Sequence, residues 1–216
     1  GLELAVYGDL DRWRRHGPAG DFHLFLDFAS DLDLGALGRG WDRFLTCGAW
    51  SGGGRDATDE TRLWPAGTVA DGALLPFDGT LITEDHASSH LQDHERPHAP
   101  FEGSTIPRLR DGDAYSWCKA PRLGGRPFET GAIARQLVAG QPLVRALAGR
   151  AGGNVFSRVI ARLMEIAALP LLMERWAGAL RPGEKWCHPD APVPDGQAVG
   201  FVEAARGTLG HWLRVG

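Results

Sequence analysis

The sequence predicts an α+β domain in which small antiparallel hairpins pack on two or three helices. Three observations carry that prediction. Apolar runs broken by "AG" and "DG" pairs fill much of the first half, as in "TRLWPAGTVADGALLPFDGTLI" (residues 61–82). Apolar residues at helical spacing dominate the second half from Thr130 to Leu180. Glycine, with 30 of 216 residues, is about twice its ordinary ~7% share, which suits many turns and close backbone approaches.

Taken in order, "FHLFLDF" (Phe22 to Phe28) and "DRFLTCGAW" (Asp42 to Trp50) read as short strands rich in apolar and aromatic residues. "SGGGRD" breaks the pattern as a loop. The hairpin-rich stretch follows. Ile82 to Arg96 then suits a short helix, with Thr83 as N-cap, Glu84 and Asp85 in its first turn, and Pro97 and Pro100 as its stop. "DAYSWCKAPRLGGRPFETG" reads as strand, turn and loop. Thr130 to Gly149 is helical, with Ile133, Leu137, Val144 and Leu147 in period, and Pro142 splits it. The longest helical pattern begins after Asn154, a good cap, and places Val155, Val159, Leu163 and Ile166 on one face. Pro170 predicts a kink within it, and Pro182 with Gly183 ends it. "AVGFVEAARGTLGHWLRV" returns to strand with a bend inside. No internal repeat is present, so residues 1–216 read as a single domain.

Composition narrows the function classes. Hydrophobic content of 43% and charged content of 23% are ordinary for a soluble globular chain. A net charge of −4 without a basic run argues against a nucleic-acid surface. No apolar run approaches the ~20 residues that span a bilayer. Cys47, Cys118 and Cys187 are scattered, with no CxxC spacing. They read as free thiols of a reducing compartment, and the start lacks a signal-peptide pattern, so a cytoplasmic location is expected. The chain opens at Gly1 and stops in a strand-like pattern at "GHWLRVG", which reads as a piece of a longer protein.

Three stretches could carry chemistry. "EDHASSHLQDHERPHAP" spaces His86, His90, His94 and His98 four apart. On a helix the first three would share one face, and histidines at i and i+4 can bind one metal. The wet neighbours Ser88, Ser89, Gln92 and Glu95 favour a plain polar surface instead. "YSWCKAPRLGGRPFETGAIAR" (Tyr115 to Arg135) gathers Lys119, Arg122, Arg126, Glu129 and Arg135 among glycines and prolines, a composition suited to an anion or a carboxylate network, or simply to a solvated turn. "VGFVEAARGTLGHW" (Val199 to Trp212) sets Glu203 and Arg206 beside Gly207 and Gly210, with neither a P-loop nor a GxSxG elbow.

The last two stretches together resemble the large subunit of nickel–iron hydrogenases, which carries a YSWIKAPRYxGxPxEVGPLAR-like segment, then helices, then GVGFxEAPRGALGHW. "RFLTCGAW", "LWPAGTV" and "ITEDHASSHLQ…PHAPFEGST" look like further parts of that family, so the resemblance runs from about residue 41 to the end. It implies the central part of a hydrogenase large-subunit-like fold. It also implies that Arg206, in the place of the EAPRG arginine, sits over the iron's cyanide ligands, and that Lys119 belongs to a buried polar network with Arg122 and Glu129. On this basis Arg206 and Lys119 are the expected catalytic positions. Arg206, Ala205, Glu203, Arg122 and Glu129 are the expected cofactor-facing ones, with no metal ligand in this segment. The two motifs are expected to fold against each other as one polar wall containing Lys119 and Arg206. The histidine run would then be a loop surface towards the iron–sulfur partner.

Departures accompany the match. The family's two cysteine pairs, RxCGxC and DPCxxC, do not occur, so this piece by itself holds no bimetallic centre. Ala205 and Ala132 replace prolines, and Cys118 stands where isoleucine is usual. The leading expectation is a maturation scaffold of the HupK or HoxV type, assisting assembly of an Fe(CN)2CO unit. The alternatives are a fragment of a catalytic large subunit that oxidises H2, and a histidine-based metal-binding module. Expected partners are hydrogenase assembly proteins or the iron–sulfur small subunit. The fragment itself is expected to bind no cofactor, while the parent carries a nickel–iron centre or an Fe(CN)2CO unit.

Overall fold

The computed structural model describes residues 21–51, 62–92, 96–102, 104–183 and 192–216. Among them are four α-helices and nine strands. Helix α1 (Asp21–Asp31) leads into β1 (Phe44–Thr46) and β2 (Ala49–Ser51). Strands β3 (Arg62–Trp64), β4 (Gly67–Ala70), β5 (Ala73–Leu75), β6 (Ile82–Asp85) and β7 (Ala120–Leu123) follow. Then come α2 (Ala132–Val138), α3 (Pro142–Ala151), α4 (Val155–Ala179), and the hairpin β8 (Gly196–Ala204) and β9 (Gly207–Val215). The strands form one three-stranded sheet, β1-β4-β5, and three two-stranded ribbons, β2-β3, β6-β7 and β8-β9, all antiparallel. The expected class of small antiparallel sheets on helices holds, with four helices rather than two or three.

The core has two parts. Leu26, Leu143, Leu147, Ile160 and Met164 pack α1, α3 and α4 together. Phe44, Ile133, Leu137, Val144 and Ala161 bring β1 against α2, α3 and α4. All seven residues of α2 are buried, so this short helix is the axis on which the sheets and helices meet.

Several elements form for the reasons read from sequence. Asp71 and Gly72, both at positive φ, turn β4 into β5. Pro142 opens α3, capped by the Gln141 side chain, which accepts from Val144 N–H. Asn154 caps α4 in a reciprocal pair with Ser157, each side chain accepting from the other's backbone N–H at 2.9 Å.

Three expectations are corrected. Phe22 to Phe28 lies in helix α1, not in a strand; Leu26 and Ala29, three apart, are its buried residues. Ile82 to Asp85 forms strand β6, not the start of a helix, because it pairs with β7 from Ile82↔Leu123 to Asp85↔Ala120. Glu84 also exchanges backbone hydrogen bonds with His98. The buried stripe of α4 is Ser157, Ile160, Ala161, Met164 and Glu165, on the other side of the helix from the expected face, and Ile166 is exposed. Pro170 stands within α4, whose helical span continues past it to Ala179.

Candidate functional site

The "EAARG" stretch is the end of β8 and the turn to β9: strand pairing runs to Ala204↔Gly207, leaving Ala205 and Arg206 as the two turn residues. A single carboxylate anchors this tip. Glu203 Oε1 accepts from Thr46 Oγ1 at 2.8 Å, from Cys47 N–H at 3.0 Å and from the Thr208 hydroxyl. Its Oε2 accepts from Arg135 Nη1 at 2.6 Å. The Glu203 side chain is only 2% exposed.

Arg135 is the centre of this arrangement. It is 3% exposed, inside a helix whose other residues are also buried. Its Nε and Nη2 make a bidentate pair with Glu165 at 2.8 and 2.7 Å, and its Nη1 also donates to the Ala204 carbonyl at 3.1 Å. The guanidinium carbon lies 5.8 Å from the Trp64 ring centroid. Burial pulls the guanidinium's pKa down, but the Glu165 and Glu203 carboxylates more than reverse this, so it stays charged.

Two glycines permit the close approach of the "ETGAIAR" and "EAARG" stretches. Gly207 has φ +137, and a Cβ there would lie 2.6 Å from Thr130 Cβ and 2.9 Å from Gly131 N. Gly131, at φ +107, faces the Arg206 carbonyl, where a Cβ would come within 3.1 Å of the oxygen.

Beyond the tip lies a cavity of about 440 Å³, walled by Trp50, Trp64, Ile166 and Leu169, with Arg162, Glu165, Glu203 and Arg206 around it. Trp50 holds a left-handed backbone, φ 51, and packs at 4.5 Å from Trp64 and 5.5 Å from Trp176. Among the described residues, Arg206 has no hydrogen-bond or ion-pair partner; its guanidinium is a free fork of donors beside an apolar cavity.

The other expected site residues have partners of their own. Lys119 donates to Glu84 Oε2 at 2.7 Å and lines a different cavity, of about 340 Å³, along the stem of the β8–β9 hairpin. Arg122 lines that second cavity too and pairs with Asp85 at 3.4 Å. Glu129 binds Arg158, whose Nη2 reaches Glu129 Oε2 at 2.9 Å. The two motifs do fold against each other, but through Arg135 with Glu203 and Thr130 with Gly207. Lys119 is engaged by the strand-borne Glu84 and lines the second cavity, while Arg206 lines the first. Sequence reasoning missed Thr46, Glu165 and Arg162 at the site. One signal was present: a lone charge in the mostly apolar "AIARQLV", with Gln136 beside it, demands a buried partner.

Nothing at the tip is built to ligate a metal directly. Among the described residues no three of His, Cys, Asp and Glu converge. The Cys47 thiol is pushed up to about 11, first by burial and then by the Glu203 charge, so it is a thiol rather than a thiolate at neutral pH. Cys118 is exposed, and Cys187 and His94 lie outside the described residues. His86 is buried, and the His90 ring lies tilted with its centroid 4.9 Å from that of Trp117 while its Nδ1 accepts from Arg110 N–H at 3.3 Å. With β6 extended, these histidines do not share a helical face. The donor chemistry of the tip fits acceptor atoms on a group held from elsewhere.

A family profile described as nickel-dependent hydrogenase matches residues 24–216. The chain belongs to the nickel-dependent hydrogenase family. Among hydrogenase relatives, the periplasmic [NiFeSe] hydrogenase large subunit of Desulfomicrobium baculatum is 30% identical over 203 residues, covering 85% of this chain and 38% of that protein. The hydrogenase-1 large chain of Citrobacter freundii is 27% identical over 240 residues, covering 85% and 40% respectively. The reduced Ni-Fe-Se hydrogenase of D. vulgaris Hildenborough superposes with a TM-score of 0.69 at 28% identity, over 87% of this chain and 42% of that one. The chain thus spans about two fifths of the length of the hydrogenases it matches. No described helix is long and apolar enough to cross a membrane.

Proposed function

We propose that this chain is the central segment of a nickel–iron hydrogenase large subunit, and that its hairpin tip presents Arg206 to the cyanide side of a metal centre held by cysteines outside the segment. The observation that carries this reading is the free Arg206 guanidinium on an anchored turn beside an apolar cavity. When bound, the nickel–iron centre supplies the redox chemistry of hydrogen. This chain's own residues orient and shield. Arg206 donates a fixed fork to anionic acceptor atoms, Trp50 and Trp64 keep water from one side, and Glu203 holds the turn.

A specific observation favours a second reading, the maturation scaffold. Ala205 and Ala132 stand where the resembled family has prolines, which loosens the backbone on both sides of the tip. A scaffold that holds an Fe(CN)2CO unit briefly tolerates such freedom better than an enzyme does. That the relatives named above are hydrogenase large chains supports the catalytic reading. The scaffold reading carries with it a cytoplasmic location, while one relative is named periplasmic. Lys119, with Arg122 and Glu129, is proposed as support for the hairpin stem and the adjoining loop in both readings.

Hydrogen-dependent dye reduction by the full-length protein with its iron–sulfur partner is the test. Turnover supports the catalytic reading. Absent turnover, with transfer of an iron–cyanide unit to a separate apo large subunit, supports the scaffold. Neither activity would refute both.

A further inference from the structure

We infer that Arg135 is a positioning residue for Arg206, acting through Glu203 and the Ala204 carbonyl; the inference rests on the reading of Arg206 proposed above. Glu203 accepts hydrogen bonds from four donors, namely Arg135, Thr46, the Cys47 N–H and Thr208. Three of these converge on Oε1 and Arg135 holds Oε2, so one carboxylate ties the hairpin to β1 and to α2. Glu203 therefore anchors the hairpin tip, and it lines the same cavity as Arg206.

The anchor is directional. Arg135 spends Nε and Nη2 on Glu165 of α4 and Nη1 on the hairpin, at Glu203 Oε2 and Ala204 O, the residue before the two-residue turn. One planar guanidinium thus fixes the end of β8 relative to α2 and α4. Gly131, four residues before Arg135, faces the Arg206 carbonyl itself. Lysine cannot reproduce this, because an ammonium lacks the in-plane fork that reaches two carboxylates and a carbonyl at once. Arg206 has no partner of its own among the described residues, so its direction is set by the turn beneath it.

The test uses the full-length, metal-loaded protein with its partner subunit, in wild-type form and as Arg135→Lys, Arg206→Lys and the double variant. Two quantities are read: the infrared stretching bands of the iron's cyanide ligands and kcat against KM for hydrogen. If Arg135 acts through Arg206, Arg135→Lys shifts the cyanide bands in the same direction as Arg206→Lys. It also lowers kcat by roughly 10–100-fold, as a displacement of about 1 Å can. The double variant is then no worse than Arg206→Lys alone. Multiplying effects in the double variant, or unshifted cyanide bands in Arg135→Lys, would overturn the inference. If Arg206→Lys itself leaves bands and rate unchanged, the reading of Arg206 fails instead, so the two failures are distinguishable. Should Arg135→Lys not load metal, Glu203→Asp keeps the charge and shortens the anchor by one methylene. The same band shift is then expected, and wild-type bands would refute the anchor.

Discussion

The sharpest structural prediction concerns Gly207, where the two motifs touch. An alanine at this position would place its Cβ 2.6 Å from Thr130 Cβ and 2.9 Å from Gly131 N. Both contacts are too short to survive without movement, and one of them is to backbone. The φ of +137 adds conformational strain that glycine alone avoids. Strain of this kind costs about 1–3 kcal/mol, and overpacking costs a further ~1–3 kcal/mol. A central value of about 4 kcal/mol is a large part of a domain's stability of ~5–15 kcal/mol. At about 2–4 °C per kcal/mol for 150–250 residues, and less for a longer chain, Gly207→Ala is expected to lower the Tm of the full-length protein by several degrees. Circular-dichroism melting of the full-length protein measures it. A cycle with Thr130→Gly isolates the steric part, because removing the threonine side chain clears the nearest overlap but not the φ strain. A coupling of about 1–3 kcal/mol is expected. A Gly207→Ala protein that melts like wild type, or a cycle without coupling, would show that the two motifs do not meet as described.

Three further outcomes follow from the same geometry. Cys118, exposed, should react with iodoacetamide at pH 8, while Cys47, buried and with its thiol near 11, should not. Peptide mass spectrometry separates the two, and fast labelling of Cys47 in the folded protein would contradict its placement. Asn154→Ala removes one half of the α4 capping pair and should cost about 1 kcal/mol by chemical denaturation; an unchanged midpoint would mean the cap is not formed. Burial pushes the Asp42 carboxyl up, but the Gly153 N–H, Arg39 and Arg158 outweigh it and hold its pKa below the usual value. Its contribution is therefore present above the unfolded-state pKa, near 4, and lost as pH falls through the lower folded value. Asp42→Asn should flatten the acid limb of the stability profile slightly, the group being partly solvated; a steeper limb would reverse the sign of the argument.

Local chemistry was legible in the sequence and long-range chemistry was not. The Asp71–Gly72 turn, the break at Pro142 and the Asn154 cap each depend on residues within a few positions, and each formed as read. The helix expected from Ile82 to Arg96 was misread because Ile82 to Asp85 finds its partners in β7, almost forty residues on, where pairing overrides a weak helical preference. In α1, dense aromatics resemble a strand, although Leu26 and Ala29 carry helical spacing. In α4, apolar residues lie on both sides. Two polar residues on the inward face, Ser157 and Glu165, disguised it; one belongs to the cap and the other to Arg135. The site followed the same rule. The Glu203–Arg206 hairpin stood out as a motif, whereas Thr46, far away in the chain, could be placed beside Glu203 only by the fold. Lys119 was placed in a polar network by resemblance, and only the fold names its partner, Glu84 on β6.

The decisive observation is where the free guanidinium points in the full-length protein proposed above. A crystal or cryo-electron-microscopy structure of the full-length, metal-loaded protein should find an Arg206 nitrogen about 2.7–3.2 Å from a cyanide nitrogen of the iron, with Arg135 still bridging Glu165 and Glu203. An Arg206 side chain turned to bulk solvent, with another residue donating to the cyanides, would contradict the account at its centre.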